Sequence, residues 1–259
     1  MATPATPHKI QRYGWIPDLP DARDHLYAAP MAVAAALPPR ADLRPECPPV
    51  YDQGQLGSCT ANAIAAAVEF DQMKQTLPDV FAPSRLFIYY NERSIEGTVG
   101  QDSGAQIRDG IKSVGQQGDC PETEWPYVIA RFAAKPPAKC YKDAVQYRAL
   151  SYQRVAQNLP QMKGCLASGY PFVFGFTVYE SFEGPQVAKS GIVPMPSTKE
   201  RAIGGHAVMA VGYDDSKQMF IVRNSWGPSW GLKGYFLMPY AYLTQSGLSN
   251  DYWTIRVVA

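Results

Sequence analysis

Long apolar runs are missing from this sequence. No stretch approaches the roughly eighteen apolar residues of a membrane span, and the longest early run, Met31 to Leu37, has only seven residues and no basic start. A soluble chain is expected, without a cleavable secretory signal and without a membrane partner. Charge of one sign is also scarce. The 24 Lys+Arg and 23 Asp+Glu leave a net charge of +1 with no basic tract, so nothing marks a nucleic-acid partner or an anionic surface. The five cysteines include no Cys-x-x-Cys pair and have no nearby His. No structural zinc, other metal or cofactor is therefore expected. His-Glu-x-x-His and Gly-x-x-x-x-Gly-Lys do not occur, and the one Gly-x-Ser-x-Gly match, Gly227-Pro228-Ser229-Trp230-Gly231, opens no strand-to-helix nucleophile elbow because a strand pattern follows it, which removes support for a zinc peptidase, a nucleotide hydrolase or a serine hydrolase. No internal repeat points to a solenoid.

What is present is apolar material for a core, at 46% hydrophobic over 259 residues, enough for one large domain or two lobes. Proline is distributed unevenly: ten of 23 fall in the first 49 residues. Proline fixes its own backbone and biases the preceding residue toward extended conformations, so residues 1–45 read as a strap, and 46–259 as the main domain. The run from Cys59 to Lys74 is Ala-rich and predicts a helix buried between layers. A second helix is expected from Pro83 to Asn91 and a third from Ser103 to Val114. A mainly helical lobe thus spans about 55–149. Beyond it, Tyr170–Val178, His206–Tyr213, Gln218–Asn224, Gly234–Met238 and Tyr252–Val258 are aromatic and β-branched, and predict strands of an antiparallel sheet or barrel over about 150–259. The fold class is α+β.

Asp214-Asp215-Ser216 is a turn signal between two of these strands. Centring the turn on Asp215 places His206 opposite Asn224, on one face of a hairpin. Cys59 begins the first predicted helix, where the positive end of the helix dipole favours thiolate and should lower its pKa below about 8.5. A nearby His206 could take its proton and return it to a leaving group, and Asn224 could fix the imidazole tautomer.

Three segments carry a resemblance: Gln53-Gly54-Gln55-Leu56-Gly57-Ser58-Cys59, Gly205-His206-Ala207, and Asn224-Ser225-Trp226-Gly227. Together they resemble the papain-like cysteine peptidases, whose order is Cys, His, Asn. His206 lies 147 and Asn224 165 residues after Cys59, against roughly 130–150 in that family. Similarity extends over most of the chain beyond Pro38, including Pro38–Arg44 and Gly118–Tyr127. The resemblance implies a two-lobed fold, a helical lobe packed on an antiparallel β-barrel-like lobe with the active-site cleft between them. It implies Cys59, His206 and Asn224 as catalytic residues, Gln53 as an oxyanion donor, and Trp226 as a shield for the His–Asn contact. Gly104, Ala105, Gly175 and Ala207 fall near substrate-binding positions, and their small size suggests a roomy, uncharged pocket for a bulky apolar side chain.

The implied function is a cysteine endopeptidase acting on peptide or protein substrates through a Cys59 thioester. Alternatives are an exopeptidase or transpeptidase on the same fold, or a latent binding protein whose cleft its own N-terminus fills. Some residues depart from the family pattern. Leu56 replaces a family cysteine, and no Cys lies near Gly104 to partner one, so that family disulfide is not expected; Thr60 replaces a tryptophan; Gly205 stands where Asn or Asp is frequent. Cys47, Cys120, Cys140 and Cys165 read as structural, paired in any of three ways or not at all. Family pro-segments are longer and helical. Here residues before about Pro39 are expected to dock on the domain and partly cover the cleft, with Tyr13, Trp15 and Leu19 as apolar anchors. His8 and His25 read as surface residues.

Overall fold

The computed structural model describes residues 13–258; His8 lies outside them. In chain order the helices are α1 (Met31–Ala35), α2 (Cys59–Lys74), α3 (Arg85–Glu96), α4 (Ile107–Gln117), α5 (Ala138–Ala144), α6 (Leu159–Ala167), α7 (Pro185–Ser190) and α8 (Tyr240–Thr244). The strands are β1 (Arg40–Asp42), β2 (Ala149–Arg154), β3 (Phe172–Tyr179), β4 (Ala202–Asp214), β5 (Met219–Arg223), β6 (Tyr235–Pro239) and β7 (Ser249–Val258). They form one antiparallel sheet in the order β2-β7-β3-β4-β5-β6, with β1 added to β4. The sheet does not close, so the expected barrel is an open sheet. The first strand of the sheet begins at Arg40, within the segment read as strap.

Helix α2 occupies the predicted span. Its residues from Cys59 to Gln72 are all buried, because it lies against β4 and β7 on one side and α3 and α4 on the other. A helix buried all round has no solvated face; alanine lets its neighbours approach closely, and the buried Thr60, Asn62, Glu69 and Gln72 side chains are hydrogen-bonded within the protein. Helix α3 starts later than predicted: Pro83 stays outside, and the Ser84 hydroxyl caps it by accepting the Phe87 N–H at 3.2 Å, a contact of about 1 kcal/mol. Helix α4 likewise begins at Ile107, after the loop that carries Gly104.

The β4–β5 hairpin differs from its predicted register. Next to the turn Asp214 pairs with Met219, and further in Met209 pairs with Arg223. The turn takes more residues than a centre on Asp215 allows, with Gln218 at φ 54°. A β-bulge between Ala210 and Gly212 then removes an odd offset. The net shift is two residues, which preserves facing. His206 and Asn224 become diagonal neighbours on one face rather than direct opposites.

Candidate active site

Three elements converge on Cys59. It opens α2, after the tight Gln53–Ser58 loop. His206 lies in β4 opposite Phe176 of β3 and is fully buried. Asn224 follows β5, with its N–H on Gly234 O at 2.9 Å. The next residue of β4, Ala207, donates its N–H to Cys59 Sγ at 3.3 Å, which fixes the nucleophile loop against the strand that bears the imidazole.

The His206 Nε2 atom lies 2.8 Å from Asn224 Oδ1. That oxygen also accepts the Ser225 N–H at 2.9 Å, so it is an acceptor and Nε2 carries the proton, leaving Nδ1 as the basic nitrogen. The Trp226 ring lies over the imidazole, 5.1 Å between centroids and 31° between planes. Phe176 and Phe182 complete an aromatic wall that excludes water from the His–Asn contact.

Gln53 is completely buried. Ser225 Oγ donates to its Oε1 at 2.6 Å, and Nε2 donates to Leu56 O at 2.9 Å. Its backbone is held by Ser225 O, and its carbonyl accepts the Tyr127 hydroxyl at 2.9 Å. The side-chain amide is therefore oriented with its N–H groups toward the nucleophile loop.

Residues 13–19 run through the cleft. Trp15 forms a parallel bridge with Ala105: Ala105 N donates to Gly14 O at 2.8 Å, and Ile16 N to Ala105 O at 3.0 Å. Trp15 N donates to Gly205 O at 2.9 Å. Gly104 sits at φ +74°, and a Cβ there would lie 2.2 Å from Gly14 O, so the strap can cross only over glycine. The Trp15 indole fills a pocket floored by Gly175, where a Cβ would come 1.9 Å from the ring. On the other side of Cys59, Tyr13 stands edge-on to His206 at 6.0 Å and bonds Glu183 through its hydroxyl.

Several expectations change here. The Cys59 thiol is pushed up to about 12, not lowered: burial under the strap outweighs the N–H groups of Ala207, Gly14 and Thr60 that favour thiolate. The pocket is not uncharged, because Asp251 Oδ2 accepts the Trp15 indole N–H at 3.1 Å. A bulge in β7 aims this carboxylate inward, with Asp251 at φ 59°; no motif in the sequence marks it. Leu19 is 71% exposed and anchors nothing by its side chain. The anchors beyond Trp15 are polar: Asp18 accepts from Trp253 Nε1 at 2.9 Å, and Asp24 pairs with Arg108 at 2.6 Å and Arg154 at 3.1 Å. Tyr27 then buries its ring.

Asp102 was also missed. Both its carboxylate oxygens accept the Gly57 N–H, at 3.0 and 3.1 Å, and it accepts the Tyr89 hydroxyl. The Tyr89 oxygen in turn accepts the Gly104 N–H at 3.2 Å. This polar staple joins the nucleophile loop to the Gly104 ledge, between segments where the family disulfide is not expected. Asp102→Ala in the strap-less chain should raise KM about tenfold while kcat changes less than about threefold, with Asp102→Asn intermediate, since a charge-assisted hydrogen bond of about 1.5–3 kcal/mol is lost from the binding ledge. Steady-state kinetics on a peptide amide measure the split.

Residues 37–255 match the papain family cysteine protease domain. The chain belongs to the papain family. It is 43% identical to an uncharacterized peptidase C1-like protein, L477, of Acanthamoeba polyphaga mimivirus, over 96% of this chain and 88% of that one. It is 49% identical to xylellain, a cysteine protease from Xylella fastidiosa, whose crystal structure superposes with a TM-score of 0.91 over 95% of this chain and 96% of that one. Procathepsin L 3 of Tenebrio molitor shares the fold at 18% identity, with a TM-score of 0.69 over 96% of this chain and 76% of that one. This papain-family chain is thus a cysteine protease, a hydrolase. Among its described residues no helix is long and apolar enough to cross a membrane.

Proposed function

We propose that the chain is an endopeptidase in which Cys59, His206, Asn224 and Gln53 are the catalytic residues. The observation that carries this reading is the joining of the Cys59 loop to the His206 strand through Ala207 N–H, with His206 Nε2 fixed on Asn224 Oδ1. His206 Nδ1 takes the Cys59 proton as sulfur attacks the scissile carbonyl. Gln53 Nε2, freed from Leu56 O, and the Cys59 backbone N–H stabilise the oxyanion. The imidazolium protonates the leaving amine, and a water activated by His206 then hydrolyses the thioester.

Chain lying on both sides of Cys59 supports endopeptidase over exopeptidase. The strap passes Cys59 with Trp15 in one half and Tyr13 in the other, so an extended chain can lie across the nucleophile. Gly104, Ala105 and Gly175 would hold the acyl side of a substrate, and Ala207 serves the nucleophile through its backbone. Occupation of the cleft by residues 13–19 supports a second role for the strap, as an internal inhibitor.

A thiol-directed epoxide tests the reading. It should label Cys59 rapidly in a chain lacking residues 1–37 and slowly in the full chain, and mapped cleavage sites in an unfolded protein should lie inside the sequence. No labelling of Cys59 in either chain would overturn the assignment of the nucleophile; release of only terminal residues would favour an exopeptidase.

A further inference from the structure

Two thiols outside the cleft meet at the base of an irregular excursion. Cys120 closes the loop after α4, and Cys140 lies in α5; they are 0% and 1% exposed. Their sulfurs and a Glu124 carboxylate oxygen lie within 4.8 Å of one another. The two remaining cysteines are occupied elsewhere: Cys47 Sγ contacts Leu43 O at 3.3 Å, and Cys165 Sγ contacts Tyr170 O at 3.5 Å. Proximity therefore singles out one pair of thiols.

The 19 residues between Cys120 and Cys140 hold little regular structure beyond one 3-10 turn, Ile129–Arg131, and the start of α5. They nevertheless make contacts that reach the active site. Glu122 forms a two-pronged ion pair with Arg85, whose Nη1 bonds Asp52 O at 3.0 Å. Tyr127 bonds Gln53 O at 2.9 Å and Ser58 Oγ at 2.5 Å. Trp125 O accepts the Ser84 hydroxyl at 2.7 Å. The excursion is thus a brace for the Gln53–Ser58 loop, and its two ends come together at the cysteines.

We propose that Cys120 and Cys140 are a disulfide-forming pair, oxidised as the chain folds by a low-molecular-weight disulfide such as oxidised glutathione. The Cys140 thiolate attacks one glutathione sulfur and releases one glutathione thiolate. Cys120, after losing its proton, then displaces the second. Two protein thiols lose two electrons and two protons, and one glutathione disulfide becomes two thiols. Oxidation belongs to folding because burial in the finished structure pushes both thiols up, with Asp119 adding to the effect at Cys120 and Glu124 at both. A metal on the same three groups is the competing occupant, but Lys139 already holds Glu124 at 2.7 Å.

The test uses the full chain carrying Cys59→Ser, refolded from reducing denaturant into equimolar reduced and oxidised glutathione, then denatured and treated with a maleimide. Two of the four remaining cysteines should react, and a peptide map should link Cys120 to Cys140. Closing a loop of this length should raise Tm by about 5 °C over the reduced chain, whereas a Cys120→Ser/Cys140→Ser chain should show no dependence on reductant. Four reactive cysteines, a different pairing, glutathione retained on either residue, one equivalent of zinc shielding both thiols, or an unchanged Tm would each overturn the proposal. None of these readouts depends on peptidase activity.

Discussion

Deleting residues 1–37 is expected to raise kcat/KM toward a short peptide amide by about 100-fold or more. A docked strap reduces activity by the fraction of molecules whose cleft is free, and 100-fold occlusion requires only about 2.7 kcal/mol of docking free energy. Burial of the Trp15 ring alone supplies about 1.5–3 kcal/mol. The strap adds backbone bonds to Ala105 and Gly205 and the Asp24 pairs with Arg108 and Arg154. Trp15→Ala in the full chain should recover about tenfold of the effect, since its indole no longer fills the pocket beside Gly175. Identical kcat/KM for the full and truncated chains would show that the strap leaves the cleft too readily to inhibit.

Cys59→Ala in the truncated chain should lower kcat by at least about 10⁴-fold, because the proposed acyl-enzyme forms on the Cys59 sulfur. Gln53→Ala should lower kcat by about 10²-fold with little change in KM, the pattern of a donor that acts only when the oxyanion has formed. Residual turnover of Cys59→Ala within tenfold of the parent would place the nucleophile elsewhere. A Gln53→Ala effect confined to KM would mean that this amide binds substrate rather than the transition state.

The residues brought together at the candidate site were legible because each sits beside a local signal: a helix start at Cys59, a strand at His206, and a tryptophan motif after Asn224. Helix α2 was legible for the same reason, its alanine content leaving little choice but burial. The hairpin register was not, since turn length and a bulge offset each other and neither leaves a clear mark in Asp214–Gln218. Asp251 and Asp102 were invisible because their roles depend on contacts across 236 and 45 residues of sequence. The state of Cys59 was misread for a related reason. The helix terminus is local, whereas the burial that outweighs it belongs to the folded chain, in which Cys59 is completely enclosed.

The parallel bridge between Trp15 and Ala105 sets the polarity of the strap. With Gly104, Ala105 and Gly175 on the acyl side, as proposed above, a cleavable substrate would place its acyl half in the pocket that Trp15 fills, and its leaving amine toward His206, on the Tyr13 side. The strap runs the other way. Its amine at Trp15 N points to Gly205 O, and the Gly14 carbonyl is held by Ala105 N–H, so neither atom of the Gly14–Trp15 peptide bond is presented for reaction. While the strap is docked, a molecule cannot cut itself. Under the proposed activity, removal of a docked strap would be an encounter between two molecules, and its rate would rise with the square of enzyme concentration and fade on dilution.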